Sequence, residues 1–318
     1  MDAEDAPTVL NSGSRMAEGV RAPVIPGGTS ISPQVRTATC PTCGNPNGAP
    51  CPTCGSPSAA APSPYAYVIG SISPRFPHEW VEKEVAQVAG RTDTAGLTDP
   101  QVLQRVLSDP SNRYLVRELC WVLTIEGQDT YILVPRDDRG WDLLAAALRP
   151  VPRHRMDLDV VIGTRGRIAP PEMCNGLTVP IIIVDQLYSF DREHLVKAIP
   201  RPEQISAKEF EPAAEEVLSL IMQMADNLGV EDRHRALNYL AVRYPMIYAT
   251  AAEAFHRSAA LSAVDVRPSR LRSTQDIYDV IFSFTDRKTG VVEKFFTAVN
   301  VSGKYPHIVT PMARYYDR

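Results

Sequence analysis

The sequence predicts an α+β fold, a mixed or antiparallel sheet with a central helical segment, behind a tail that cannot build a hydrophobic core. Three observations carry this. All 23 aromatic residues of the 318 lie at Tyr65 or beyond. Strand-like apolar runs fill 65–184 and resume after 262, while about fifty residues from Ser206 onward follow helical spacing, an order that argues for α+β. The first 64 residues hold 11 of the 28 prolines and four of the six cysteines, so burial there cannot offset the entropy of ordering the chain.

Residues 65–72 alternate and are rich in β-branched side chains, which makes a strand that Pro74-Arg75-Phe76-Pro77 ends. Val81, Val85 and Val88 stand at helical spacing over 78–89. Asp99-Pro100 opens a second helix that runs to Ser108. Segments 119–126 and 130–135 flank Gly127-Gln128-Asp129 as a β-hairpin, and 141–148 is a short helix. Residues 157–163 and 177–184 are apolar enough to be central strands. Helices follow over 211–226, 232–243 and 245–257, broken at Asn227-Leu228-Gly229 and at Pro245. Strands return over 262–266, 277–286 and 291–301, the last two joined by a turn at 286–290. A division into two domains near Pro200-Arg201-Pro202 is left open.

Residues 1–39 read as a disordered arm. Cys40-Pro-Thr-Cys43-Gly and Cys51-Pro-Thr-Cys54-Gly then repeat one unit eleven positions apart. Two residues between thiolates let both reach one ion at about 2.3 Å, and four soft ligands suit tetrahedral Zn2+. The spacer of seven residues is shorter than a zinc ribbon uses. The expectation is one structural zinc on Cys40, Cys43, Cys51 and Cys54, its binding energy replacing the missing core. Residues 40–55 form this double knuckle, 56–64 a linker, and 65–318 one domain.

A net charge of −4 argues against a broad nucleic-acid surface. No apolar run approaches the roughly 20 residues of a membrane helix, and the N-terminus has no secretory signal pattern. A cytoplasmic protein is expected, its cysteines reduced or metal-bound. Its partner is expected to be a peptide or a protein, and a homo-oligomer is left open.

Within the body, Cys120 and Cys174 admit three readings: buried apolar thiols, a second metal site, or a nucleophile in the loop 170–176. Arg233, His234 and Arg235 cluster at a helix start, where the dipole disfavours cations; they either grip a peptide carboxylate or an acidic partner, or form a solvated face. His78-Glu-Trp-Val-Glu82 lacks the second histidine of a zincin helix. Asp157 and Asp159 share a strand face, more in keeping with a polar strand end than with acid–base chemistry. No G-x-S-x-G or P-loop motif occurs. A non-catalytic protein is favoured, with a Cys174-centred peptide-modifying enzyme as the alternative.

Several long segments carry a family resemblance. Residues 67–77, 81–87, 112–127, Ile168-Ala-Pro-Pro-Glu-Met-Cys-Asn-Gly176, Arg235-Ala-Leu-Asn-Tyr-Leu-Ala-Val-Arg-Tyr-Pro245 and the closing Tyr315-Tyr-Asp-Arg318 resemble the C-terminal domain of the PatA/PatG cyanobactin maturation proteins. The resemblance implies an accessory or scaffolding role near ribosomal-peptide modification. The family's proteolysis and macrocyclisation belong to a subtilisin-like domain whose motifs are missing from this sequence.

Overall fold

The structure, a computed structural model, describes residues 63–91, 99–148, 158–190, 207–222, 227–270 and 275–316. The arm, the four tail cysteines and most of the linker lie outside the described residues. Residues 60–318 form one compact unit.

Five strands close into a barrel: β1 (Tyr65–Arg75), β2 (Cys120–Ile125), β3 (Gln128–Pro135), β4 (Leu158–Ile168) and β5 (Pro180–Phe190), in the order β1-β2-β3-β5-β4. Only the β3–β5 pair is parallel. The strand β1 runs through Pro74 to Arg75, three residues past the expected end at Ile72, because these residues still pair with β2 at Trp121 and Cys120. The hairpin turn is Glu126-Gly127, both at positive φ, as a two-residue turn between twisted strands demands.

Four helices follow the barrel's chain order: α1 (Glu79–Arg91), α2 (Asp99–Ser108), α3 (Arg113–Glu118) and α4 (Asp138–Ala146). α3 was not expected, and α4 starts three residues early because Asp137 caps it, accepting hydrogen bonds from Arg139 N and Gly140 N. Val68, Leu123, Leu133, Val161 and Ile182, one from each strand, share a continuous apolar cluster that extends into Val81, Val106, Leu115 and Leu144 of these helices. Alternation along β1 sends Tyr67 and Ile69 to the opposite cluster.

That second cluster is built from α5 (Ala207–Met222), α6 (Asp232–Arg243) and α7 (Met246–His256), followed by a sheet of β6 (Ala259–Pro268), β7 (Ile277–Asp286), β8 (Val292–Asn300) and β9 (His307–Arg314) in sequential antiparallel order. Val217, Leu218 and Ile221 of α5, and Leu237, Leu240 and Ala241 of α6, are buried together. The helices, sheet and barrel confirm the α+β class and its central helical segment. β9 escaped the sequence reading; it is an edge strand carrying Pro311, a residue tolerated where the N–H faces no partner strand.

Candidate functional site

A pocket of about 340 Å³ opens beside the barrel, lined by Tyr67, Ile162, Gln186, Tyr239, Arg243, Tyr305 and Pro306. Its floor is one row of the sheet. Tyr67 pairs with Ile162 and Ile162 with Gln186, so the three side chains stand on the same face of adjacent strands. The row ends at a bulge: register shifts after Ile162, leaving Asp185 as the extra residue on β5 and re-aiming side chains there.

The α6 helix forms the wall, and buried polar contacts hold it. Asn238 Nδ2 donates to the Tyr67 carbonyl at 2.8 Å and is joined to Asn227 by paired amide hydrogen bonds. Tyr67 N in turn donates to the Gly229 carbonyl at 2.8 Å. Gly229 has φ +68°, and a Cβ there would stand 2.5 Å from the Tyr67 carbonyl oxygen, so no larger residue fits this approach. With Asn238 fixed on β1, Tyr239 stacks edge-on against Tyr67, ring centroids 6.3 Å apart. One turn on, the Arg243 guanidinium lies over the Tyr188 ring, 4.7 Å from its centroid. No carboxylate among the described residues pairs with Arg243.

The lid is the loop between β8 and β9, and Arg235 controls it. Fully buried, Arg235 donates to the carbonyls of Val301, Gly303 and Lys304, to Ser63 Oγ and to Asp232 Oδ1. Burial pulls its pKa down, opposed by Asp232. Five acceptors around one guanidinium fix the loop that carries Tyr305 and Pro306. The expectation of a basic cluster at Arg233, His234 and Arg235, whether solvated or open to a partner, is therefore corrected. Only Arg233 is exposed, paired with Glu231 at 2.6 Å, while His234 and Arg235 are buried. The helix start packs on the β8–β9 loop, which helical periodicity alone could not show.

The pocket's electrostatics favour an anion. Arg243 is the one charged residue among the described residues that line the pocket, while Asp185, next to Gln186 on β5, is taken by both Arg136 (2.5 Å) and Lys304 (2.9 Å). The Tyr67 hydroxyl is buried within hydrogen-bonding reach of Arg243, and its own O–H finds no acceptor among the described residues. Burial pushes its ionisation above the usual tyrosine range, and nearby Arg243 only partly offsets this. Burial likewise raises Tyr239, against the same guanidinium. Both phenols are proton donors at neutral pH.

Burial works to raise the Asp185 pKa, but hydrogen bonds and charge from Arg136 and Lys304 outweigh it and hold the carboxyl below the usual range. A depressed carboxyl stabilises the fold above its unfolded pKa of about 4 and loses that contribution as pH falls through the folded value. Denaturant unfolding of the parent chain and Asp185→Asn should differ at about pH 6, and the gap should shrink from about pH 4 downward. An unchanged gap at about pH 2.5 would contradict the assignment.

A second, larger cleft of about 700 Å³ is lined by residues that include Arg75, His78, Glu79, Glu82, Asp129 and Cys174. It gathers the His78–Glu82 segment and Cys174. Its Arg75 is already paired with Asp129 at 2.5 Å, and Cys174 is bonded to Cys120. The two cysteines, read separately as apolar thiols, ligands or a nucleophile, and expected to be reduced, instead form a disulfide with Cα atoms 5.7 Å apart. The reason is tertiary: Cys120 opens β2 and Cys174 sits in the loop after β4, and both face the small cluster of Val122, Ile132 and Ile181. Asp159 is also structural, accepting from Ile72 N at 2.8 Å and Ser189 Oγ at 2.7 Å while buried; Asp157 lies outside the described residues. Among the described residues no group of three or more His, Cys, Asp or Glu is placed to hold a metal, and no helix is long and apolar enough to cross a membrane.

Sequence reasoning missed Tyr67, Tyr239, Arg243 and Tyr305 as site residues. A signal existed in Tyr239-Leu-Ala-Val-Arg243, whose i,i+4 spacing puts ring and guanidinium on one helix face.

Residues 204–315 match the PatG C-terminal family model, a span that contains Tyr239, Arg243 and Tyr305 but not the barrel. A solved structure described as a PatG domain of unknown function is similar in fold, with a TM-score of 0.63 and 23% identity over 80% of this chain and 99% of that one. Among curated proteins no match is found.

Proposed function

We propose that this chain, which carries a PatG C-terminal domain over residues 204–315, is a non-catalytic accessory protein of ribosomal-peptide maturation that binds a peptide or a partner protein. The observation that supports this reading is the pocket itself. A lone guanidinium and three phenols converge there around Ile162, Gln186 and Pro306, a composition suited to holding a ligand: few placed polar groups among largely apolar walls. The tail's Cys40, Cys43, Cys51 and Cys54 complete the proposal as a structural zinc site that recruits a partner while the body serves as scaffold.

The alternative, an enzyme centred on Cys174, needs a free thiolate. In the structure that sulfur is bonded to Cys120, so nothing there favours it. A cytoplasmic location belongs to the same proposal and sits uneasily with this bond, because disulfides persist mainly in oxidising compartments.

Two measurements test the reading. Elemental analysis of the purified full chain should return one zinc per chain, lost in Cys40→Ser/Cys43→Ser; no zinc in the parent chain would remove the metal. Calorimetric titration with a peptide encoded beside this gene should show saturable binding, with no change in the peptide's mass after prolonged incubation. No binding would remove the accessory role, and a mass change would make the protein an enzyme.

A further inference from the structure

We infer that the Tyr67–Tyr239–Arg243–Tyr305 pocket is a receptor for the free C-terminal carboxylate of a peptide whose last side chain is aromatic or large and apolar. The inference rests on the binding role proposed above and names the chemical group that the site would recognise.

Arg243 fixes the charge of the ligand. It is exposed and without an acidic partner among the described residues; Tyr188 stacks on one face of the guanidinium and the Tyr67 hydroxyl engages one of its five N–H donors, which leaves others to meet a ligand. Those donors match the two oxygens of a carboxylate. The buried Tyr67 hydroxyl lies within hydrogen-bonding reach of the Arg243 guanidinium, which can only donate to it, so its own O–H remains a further donor on the pocket floor. That O–H meets no acceptor among the described residues, and a ligand oxygen that accepts from it recovers the cost of burying it.

The apolar part of the ligand follows from the walls. Ile162, Pro306 and the rings of Tyr67, Tyr239 and Tyr305 surround the space, and Tyr305, half exposed on the lid, can cover a ring that enters. Aromatic pairs of this kind add specificity beyond buried area. At about 340 Å³ the pocket lies at the small end of ligand sites, which suits a terminal residue and not a folded segment.

Position argues for a carboxylate over a phosphate. Arg243 is the last residue of α6, so the pocket lies at the negative end of that helix. A dianion meets this field with twice the charge of a carboxylate, and none of the described lining residues belongs to the first turn of a helix that could offset it.

The test is titration of the full chain with three probes, N-acetyl-L-phenylalanine, its C-terminal amide and phenyl phosphate, followed by calorimetry or by amide chemical shifts. N-acetyl-L-phenylalanine should bind saturably, and the amide and Arg243→Gln should each weaken binding by about tenfold or more. Arg243→Lys, which keeps the charge without the fork, should fall between. Equal binding of acid and amide, tighter binding of phenyl phosphate, or undiminished binding by Arg243→Gln would overturn the assignment. Should Arg243→Gln melt early, the exposed Tyr305→Ala serves instead: several-fold weaker binding supports the site, and unchanged binding counts against it. An encoded peptide that binds while N-acetyl-L-phenylalanine does not would remove this assignment and leave the accessory role standing; the reverse result would keep the site and remove the role.

Discussion

Arg235→Met should lower the unfolding free energy by about 4 kcal/mol, the range expected when one partner of a buried charged network is removed. The methionine fills the space but donates nothing. The carbonyls of Val301, Gly303 and Lys304 would lose their donor together, and Asp232 its cation. Each buried acceptor left unmet costs about 1–3 kcal/mol before relaxation. Arg235→Lys should recover less than half, because a single ammonium cannot reach acceptors spread around a planar fork. Urea unfolding gives the energies, and amide exchange gives a second reading: residues 301–306 should exchange faster in both variants, even under conditions where the rest of the fold is intact. A loss below about 1 kcal/mol, or unchanged exchange in this loop, would show that the arginine neither holds the fold nor positions the pocket lid.

Reduction of the Cys120–Cys174 bond should have a comparable effect. The two cysteines are 54 positions apart, and closing a loop of that length removes unfolded-state entropy equivalent to roughly 4 kcal/mol in the chain-entropy treatment. The Cys120→Ala/Cys174→Ala chain should unfold at correspondingly lower denaturant and be insensitive to dithiothreitol, whereas the parent chain should shift towards it on reduction. Because Cys174 and Asn175 line the 700 Å³ cleft, the loop 169–177 should lose amide protection first. A parent chain whose midpoint does not move on full reduction would contradict the role given to the bond.

The comparison of sequence with structure turns on the range of the interactions involved. Local patterns were legible. Val81 and Val85 marked α1, Asp99-Pro100 the start of α2, and the runs around Gly127 the hairpin, because spacing, caps and turn residues act within a few positions. Pairing between distant segments was not. The barrel closes through β1 against β4 and through the parallel β3–β5 pair, and nothing in either strand names its partner. The Cys120–Cys174 bond depends on that closure. So does the fate of Arg235: a charge at a helix start reads as exposed until the β8–β9 loop is placed over it. The short β9 run was masked by Pro311, which reads as a strand breaker until the edge position that tolerates it is known.

The candidate site was legible in part. Its helix lies in one of the segments that carried the family resemblance, and the i,i+4 pair Tyr239 and Arg243 could be read there. Tyr67, Gln186 and Tyr305 join them only through strand register and lid placement. The carboxylate grip that is one of the readings of Arg233–Arg235 lies two turns too early on the same helix. The first of these arginines is paired at the surface and the last is consumed inside the fold, which leaves Arg243 as the guanidinium facing the pocket.

The account's central claim is that the body receives a peptide at this pocket. Hydrogen–deuterium exchange of the full chain with and without a peptide encoded beside its gene tests it most directly. Protection should appear along Tyr239–Tyr244 and across 303–308, and little should change around 74–82 and 172–177. Protection confined to that second cleft, or none in either place at saturating peptide, would contradict it.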